Sequence, residues 1–188
     1  MRKIMVAGCI ATFMLAGSIG AYAKDKGGGK HYVLNLIGAG PMYEDFVPDI
    51  DGDNADDPAI CFDVDLIDMK NQRTVGTATD CLSNVTPIGT GVALVGTTYF
   101  NFPQGELVVR GKTTVQPVLH PTVSASGQSM THITGAASPD NAVISGTRRF
   151  AGAEGTVRLS GMVDMSGFGG NVGDPISFDC LFVIDLTN

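Results

Sequence analysis

Basic residues are scarce in this chain, and their scarcity excludes several classes of partner. Lys and Arg number 12 against 19 Asp and Glu, so the formal net charge of the 188 residues is −7 at pH 7. Removal of Arg2 and Lys3 with an N-terminal segment would change this formal net charge from −7 to −9. So acidic a chain lacks the positive patch that binds nucleic acid, and anionic lipid repels it. We therefore expect no nucleic-acid partner.

Long apolar runs are missing after the first 23 residues, which predicts that the protein has no stable membrane insertion. The N-terminal segment itself has the basic residues Arg2 and Lys3, an apolar stretch over residues 4–17, and a small-residue cleavage site, Ala-Tyr-Ala, at residues 21–23. This pattern predicts a cleaved secretory signal peptide, and hence a secreted or periplasmic protein. A membrane anchor is the alternative reading, but the stretch is short for a span.

Acylation at Cys9 would make the chain a lipoprotein instead. Only five apolar residues separate Lys3 from Cys9, too few for the apolar region of a signal peptide. Signal peptidase cleavage after Ala23 is the expectation that we retain. Residues 24–30, KDKGGGK, then form a flexible leader with no apolar side chain to pack.

Helical periodicity is almost absent from the rest of the chain, which excludes a fold built on helical crossovers. Short alternating runs divided by Gly, Pro, Asn and Asp predict β-strands instead. Phe62, Val64 and Leu66, for example, alternate with Asp63 and Asp65. The predicted strands cover residues 31–37, 60–67, 74–82, 91–102, 106–113, 130–134, 142–145, 156–165 and 177–186.

These strands predict one all-β domain over residues 31–188. Roughly eight meandering strands in a chain of this size form a closed barrel or a sandwich. The last strand, FDCLFVIDL, is too apolar for an open sheet edge. We therefore predict an eight-stranded antiparallel closed β-barrel.

Cysteines are few, and at most one internal disulfide can form. After signal cleavage the chain keeps Cys61, Cys81 and Cys180. Cys61 and Cys81 come nearly opposite each other in the predicted hairpin, which predicts that they pair. Cys180 could replace either partner, and pairing would exclude Cys81 as a free thiol in a cavity.

Metal-ligating patterns are weak. His31, His120 and His132 are scattered without an H-x-H pair, so we expect no zinc site. The loop DIDGDNADD places Asp49, Asp51 and Asp53 at alternate positions, as at the start of a calcium loop. It lacks the glycine and the late glutamate of such loops, so a solvated acidic loop is the simpler interpretation.

Three blocks of sequence resemble the allene oxide cyclase and dirigent barrel superfamily. The first, ISGTRRFAGAEGTVRL, matches that superfamily's I-[ST]-G-x-x-x-F-x-G-A-x-G-x-V-[KR]-L pattern over residues 144–159. The second is YFNFPQGELVVRG, residues 99–111, and the third runs from Leu66 through Val75 and Gly76 to Cys81. The three blocks stand in the order of the superfamily and together span most of the domain.

This resemblance implies an eight-stranded barrel, commonly a homotrimer, with an apolar cavity that opens at one end. Such barrels need no cofactor, because they position a reactive small hydrophobic molecule sterically during an isomerase-type cyclisation or a stereoselective coupling. Where dirigent proteins usually have Ala-Arg-Gly, this chain has Ala153, Glu154 and Gly155.

The resemblance also implies a set of cavity residues. The cyclase's glutamate falls on Asn35 and its asparagine falls on Val64, so true allene oxide cyclase activity is not expected. Its cavity proline corresponds to Pro41 and its cysteine to Cys81. The aromatic residues Phe62 and Tyr99 are further candidates for the wall, and Arg148, Arg149 and Glu154 are candidates for the cavity mouth.

We expect a secreted, cofactor-free barrel that binds a small hydrophobic molecule. Two other hypotheses stay open: a non-enzymatic exported protein that uses the barrel as a stable shell, and a calcium-dependent binding module.

The first prediction concerns processing. Export of the full chain from a bacterial host should yield a protein that begins at Lys24, because signal peptidase cuts after small residues such as those at 21–23. N-terminal sequencing and intact mass measure this directly. A product that retains Met1, or that carries lipid on Cys9, would contradict the prediction.

Overall fold

The computed structural model describes residues 29–124, 127–138 and 140–187. The predicted signal peptide and most of the predicted leader lie outside these residues. Among the described residues, no helix is long and apolar enough to cross a membrane. The strands are β1 (Lys30–Pro41), β2 (Tyr43–Val47), β3 (Asp57–Asp68), β4 (Arg73–Ile88), β5 (Gly91–Phe102), β6 (Gly105–Val123), β7 (Ser129–Ala137), β8 (Val143–Gly146), β9 (Gly155–Asp164) and β10 (Pro175–Leu186).

Eight of these strands form a closed antiparallel barrel, as predicted. The hydrogen-bonded order is β1, β10, β9, β7, β6, β5, β4, β3, and β3 pairs with β1 again to close the ring. β2 pairs with β3 and β8 pairs with β6, both outside the ring. The sequence analysis did not predict β2.

Alternation along the strands separates the core from the outer face. On β3, Phe62, Val64 and Leu66 are buried, whereas Asp63 and Asp65 are exposed. The inward residues of all eight barrel strands join in one apolar core. Burial of these side chains is the main source of folding free energy, because apolar area removed from water contributes about 25 cal/mol per Å².

A second, smaller apolar cluster lies on the outer face of the barrel. Cys61 and Cys81 are directly paired in the β3–β4 register and form a disulfide, with a Cα–Cα distance of 4.0 Å. β2 and the loop after it cover this disulfide with Val47 and Ile50. The predicted pairing is therefore confirmed, and Cys180 stays a free, buried cysteine.

The glycine-rich segment at residues 143–161 connects β8 to β9. β8 ends at Gly146, a short 3-10 helix spans Arg148–Phe150, and β9 begins at Gly155. Phe150 is buried against Tyr32 and Phe102, with ring centroids 6.1 and 5.3 Å away. A side chain at Gly155 would collide with the backbone of Asp185 and Leu186 on β10.

The second prediction compares two glycines. Gly155→Ala should destabilise the barrel by about 1–3 kcal/mol, because the new methyl group meets backbone that cannot move without breaking strand pairing. Gly111→Ala is the control. Its added methyl group would lie 3.9 Å from Ala136 Cβ, which is an ordinary van der Waals contact, so no backbone has to move. Urea unfolding of both variants measures the difference. Equal losses of stability would contradict this account of the segment.

Candidate functional site

A cavity of about 50 Å³ lies inside the barrel. Small side chains on three adjacent strands leave this space unfilled, above all Gly96 on β5 and Gly111 on β6, which face each other in the register. Larger apolar groups enclose the remaining sides. The lining includes Phe62, Leu82, Leu94, Thr98, Val115, Thr134, Val163, Met165, Ile176, Phe178 and Phe182.

Aromatic side chains fill the other half of the barrel. Phe182 lines the cavity and contacts Phe100 edge to face, with ring centroids 5.4 Å apart. Phe100 stacks on Phe102, and Phe102 contacts Phe150. The cavity therefore extends away from these rings, towards the end of the barrel where Met165 follows β9 and Ile176 is the second residue of β10.

One carboxyl group lies in this mostly apolar lining, which also contains the threonines Thr98, Thr113 and Thr134. Asp80 lies on β4 between Ala78 and Leu82, faces the cavity, and is only 4% exposed. The Thr98 hydroxyl donates a hydrogen bond of 2.6 Å to its Oδ1 atom. Burial raises the pKa of Asp80 to about 7, and the bond from Thr98 opposes this rise. Near neutral pH the group can therefore either donate or accept a proton.

The sequence analysis missed Asp80. Its position in phase with Ala78 and Leu82, and out of phase with Cys81, was the signal that could have revealed an inward carboxyl group. Strand alternation alone shows which residues share a face, and only barrel closure decides that this face is enclosed.

The free thiol of Cys180 also faces the interior, on β10. Burial raises the pKa of Cys180, and the negative charges of Asp80 and Asp179 raise it further. The thiol therefore stays protonated and is a poor nucleophile. Its sulfur lies 3.8 Å from the carbonyl oxygen of Met162.

The residues predicted to line the cavity divide between the two faces. Phe62 lines the cavity, and Val64 is buried in the core beside Gly38. Asn35 faces outward, because Leu34 and Leu36 on either side of it point inward, and its amide donates a hydrogen bond of 2.9 Å to Asp179. Pro41 is exposed at the end of β1.

Cys81 and Tyr99 also lie outside the cavity. Cys81 is held in the disulfide, and Tyr99 packs against that disulfide on the outer face. The physical reason is again parity, because Cys81 follows the inward Asp80 and Tyr99 follows the inward Thr98. The structure thus places both residues in the small apolar cluster around the disulfide and not in the barrel interior.

The three residues assigned to the cavity mouth lie at the opposite end of the barrel. Arg148 and Arg149 belong to the 3-10 helix beside Phe150, and Glu154 directly precedes β9. This is the end that the aromatic rings fill. Arg149 lines a separate surface depression of about 400 Å³, which we call the end depression.

The end depression is bordered by strands and turns at the aromatic end of the barrel. Tyr32, Phe102 and Phe150 form much of its floor. Its other lining residues are His31, Val33, Leu34, Asp68, Lys70, Val75, Gln104 and Arg149.

Three carboxylates converge in the acidic loop, but they are not the three predicted. Asp49, Asp51 and Asp57 place one oxygen each within 4.8 Å of one another, whereas Asp53 is not in the group. Both carboxylate oxygens of Asp49 accept backbone N–H groups, from Gly52 and Asn54, and these bonds lower its pKa. The aspartates therefore organise the loop, and calcium binding stays a prediction.

Arg110 connects this loop to the barrel through hydrogen bonds. It lies on β6 and its guanidinium points away from the cavity, donating hydrogen bonds to the carbonyl oxygens of Pro48 and Asp49 and to the Thr97 hydroxyl. The bond to the Asp49 carbonyl is 2.8 Å long. The sequence analysis gave Arg110 no role.

No known protein-family model matches this chain, and no curated protein matches it either. The resemblance to the allene oxide cyclase and dirigent superfamily therefore stays a prediction.

The third prediction concerns Asp80. Because its pKa in the folded protein, about 7, lies above the ordinary value of 3.8, the stability that it contributes is present below about pH 4 and is lost as pH rises through 7. Asp80→Asn should remove up to about 4 kcal/mol of this pH-dependent loss. The measurement is the free energy of unfolding from pH 4 to 8.

Thr98→Val is the matched control for Asp80→Asn. It removes the hydrogen bond that favours the charged carboxylate, so it should raise the pKa of Asp80 further and move the loss of stability to higher pH. If Asp80→Asn kept the wild-type pH profile, the assignment of this loss to Asp80 would be wrong.

Proposed function

We propose that this protein is an exported, cofactor-free barrel that binds a small, mostly hydrophobic molecule in its interior cavity. The observation that carries the proposal is the buried carboxyl group of Asp80, which faces unfilled space in a mostly apolar lining. Strongly perturbed ionisable groups in cavities occur preferentially at functional sites.

An energetic argument supports this reading. At and above neutral pH, burial of the Asp80 carboxyl costs the fold up to about 4 kcal/mol, a large part of the net stability of an ordinary domain. A leucine or valine at this position would pack without that cost. A binding site explains the carboxyl group, because it gives a ligand one polar partner at a defined place.

The lining indicates the class of ligand. An apolar body would occupy the space beside Gly96, Gly111 and Phe178, and one hydrogen-bonding group would meet Asp80. A cavity of about 50 Å³ holds only a few non-hydrogen atoms, so the ligand is either very small or inserts one end past Met165 and Ile176. Steering of a cyclisation or coupling would depend on this shape and on proton exchange with Asp80.

Export and assembly are parts of the same proposal. The disulfide between Cys61 and Cys81 is compatible with a secreted or periplasmic protein, since such bonds persist in oxidising compartments. A homotrimer is proposed on the resemblance alone.

The second candidate function is that of a stable exported shell without a ligand. The packing of Phe100, Phe102, Phe150 and Phe182 favours it, because these rings already fill half of the interior. On this reading the cavity is a packing defect, and Asp80 is solvated by water within it.

The fourth prediction separates the two functions with small probes. Butan-1-ol, butanone and butan-1-amine each have a short apolar body and one polar group, as the cavity requires. A probe that binds at tenfold its Kd should raise the Tm by about 3–6 °C, since it stabilises only the folded state. Thermal unfolding of the purified protein with each probe measures this.

Ala136→Val is the matched variant, because Ala136 lines the cavity and two added methyl groups would occupy much of it. The binding proposal expects the response to the probes to disappear in this variant. No response in the wild-type protein, together with a more stable Ala136→Val variant, would establish the shell and overturn the binding proposal.

A further inference from the structure

We propose that the end depression is a second binding site, for a small organic anion with an apolar body. It is separate from the interior cavity, which lies beyond the rings of Phe100 and Phe182, and the proposal does not depend on the interior binding a ligand. Its volume of about 400 Å³ falls within the range of about 300–1,000 Å³ that is usual for small-molecule sites.

The floor of the depression is aromatic and only partly covered. Tyr32 and Phe102 are half-buried, with ring centroids 6.1 Å apart, and Phe150 lies against both. Val75 on β4 extends this apolar surface. Aromatic rings offer a large contact area with little loss of side-chain entropy, so a ligand with a planar or branched apolar body would cover them well.

Two exposed cations line the depression. Lys70 comes from the β3–β4 turn and Arg149 from the 3-10 helix, and within the described residues neither takes part in an ion pair. One carboxylate, that of Asp68, also lines the depression, where it accepts hydrogen bonds from the Lys70 backbone N–H and the Asn71 amide and keeps its negative charge. The fourth ionisable side chain of the lining, His31, contacts Asp185 at 2.5 Å.

The backbone holds Arg149 at this position. The Arg149 N–H donates a hydrogen bond to the Gln104 carbonyl oxygen in the β5–β6 turn, at 3.3 Å. The preceding residue, Arg148, has a φ of 49°, in the left-handed region that non-glycine residues rarely adopt. Arg148 thus adopts a disfavoured backbone conformation directly before Arg149, whose side chain lines the depression.

Charge and apolarity together select the ligand class. The chain has a net charge of −7, so a lining with the two cations Lys70 and Arg149 against the one carboxylate of Asp68 is a local exception to its acidity. A carboxylate matches these cations, and its apolar body matches the rings. A fully polar anion such as inorganic phosphate would leave the rings uncovered and gain nothing from them.

The fifth prediction tests this site with 3-phenylpropionate and its uncharged counterpart, 3-phenylpropionamide. Calorimetric titration into the purified protein should give saturable binding of the carboxylate and at least fivefold weaker binding of the amide. Lys70→Gln and Arg149→Gln should each weaken carboxylate binding about fivefold and leave amide binding unchanged, because each removes a charge but keeps a polar side chain. Backbone amide NMR shifts should locate the ligand at Tyr32, Phe102 and Phe150.

Lys112→Gln is the control for general electrostatics. Lys112 is also an exposed cation, but it lies on β6, does not line the depression and has no ion pair within the described residues, so its loss should not change the affinity. Three outcomes would each overturn the proposal: no saturable carboxylate binding, an equal loss in the Lys112→Gln variant, or NMR shifts confined to the interior residues around Asp80.

Discussion

Whether a residue of this protein lies inside or outside depends on the double pairing of β1. One edge of β1 pairs with β10 along its whole length, and the other edge pairs with β3 from Leu34 to Ile37. The second pairing removes the open edges of the eight-stranded ring, so alternate residues of each strand must face an enclosed space. That enclosure desolvates Asp80 and raises its pKa, which an open sheet would not do.

The two ends of the barrel differ because their inward residues differ in size. Rings of Phe100, Phe102 and Phe150 fill one end, and glycine, alanine and threonine side chains leave a cavity at the other. At the filled end, the half-buried rings of Tyr32 and Phe102 line the end depression together with Lys70 and Arg149. The difference in size between the inward residues of the two ends thus accounts for both candidate sites.

Strand alternation was enough to predict a large part of the architecture. It gave the inward face of Phe62, Val64 and Leu66, and the short β3–β4 turn brought Cys61 opposite Cys81. Residues transferred by resemblance fared differently, because a single step in register exchanges the two faces of a strand. Asn35 illustrates this, since it lies between two inward leucines and faces Asp179 outside the barrel.

The sequence by itself determined the all-β class, because period-2 alternation and turn residues are local properties of the chain. It predicted the closed barrel from the apolar last strand, and it predicted the pairing of Cys61 with Cys81 from the position of the β3–β4 turn, with Cys180 left as an alternative partner. Tertiary structure alone decided that β2 covers the disulfide, that Asp80 is enclosed, and that Arg149 lies at the filled end. Each of these depends on contacts between residues far apart in the chain, such as Asp80 with Thr98 and Arg149 with Gln104. The periodicity of a single strand does not predict such contacts, because closure of the ring determines which strands and turns lie next to each other.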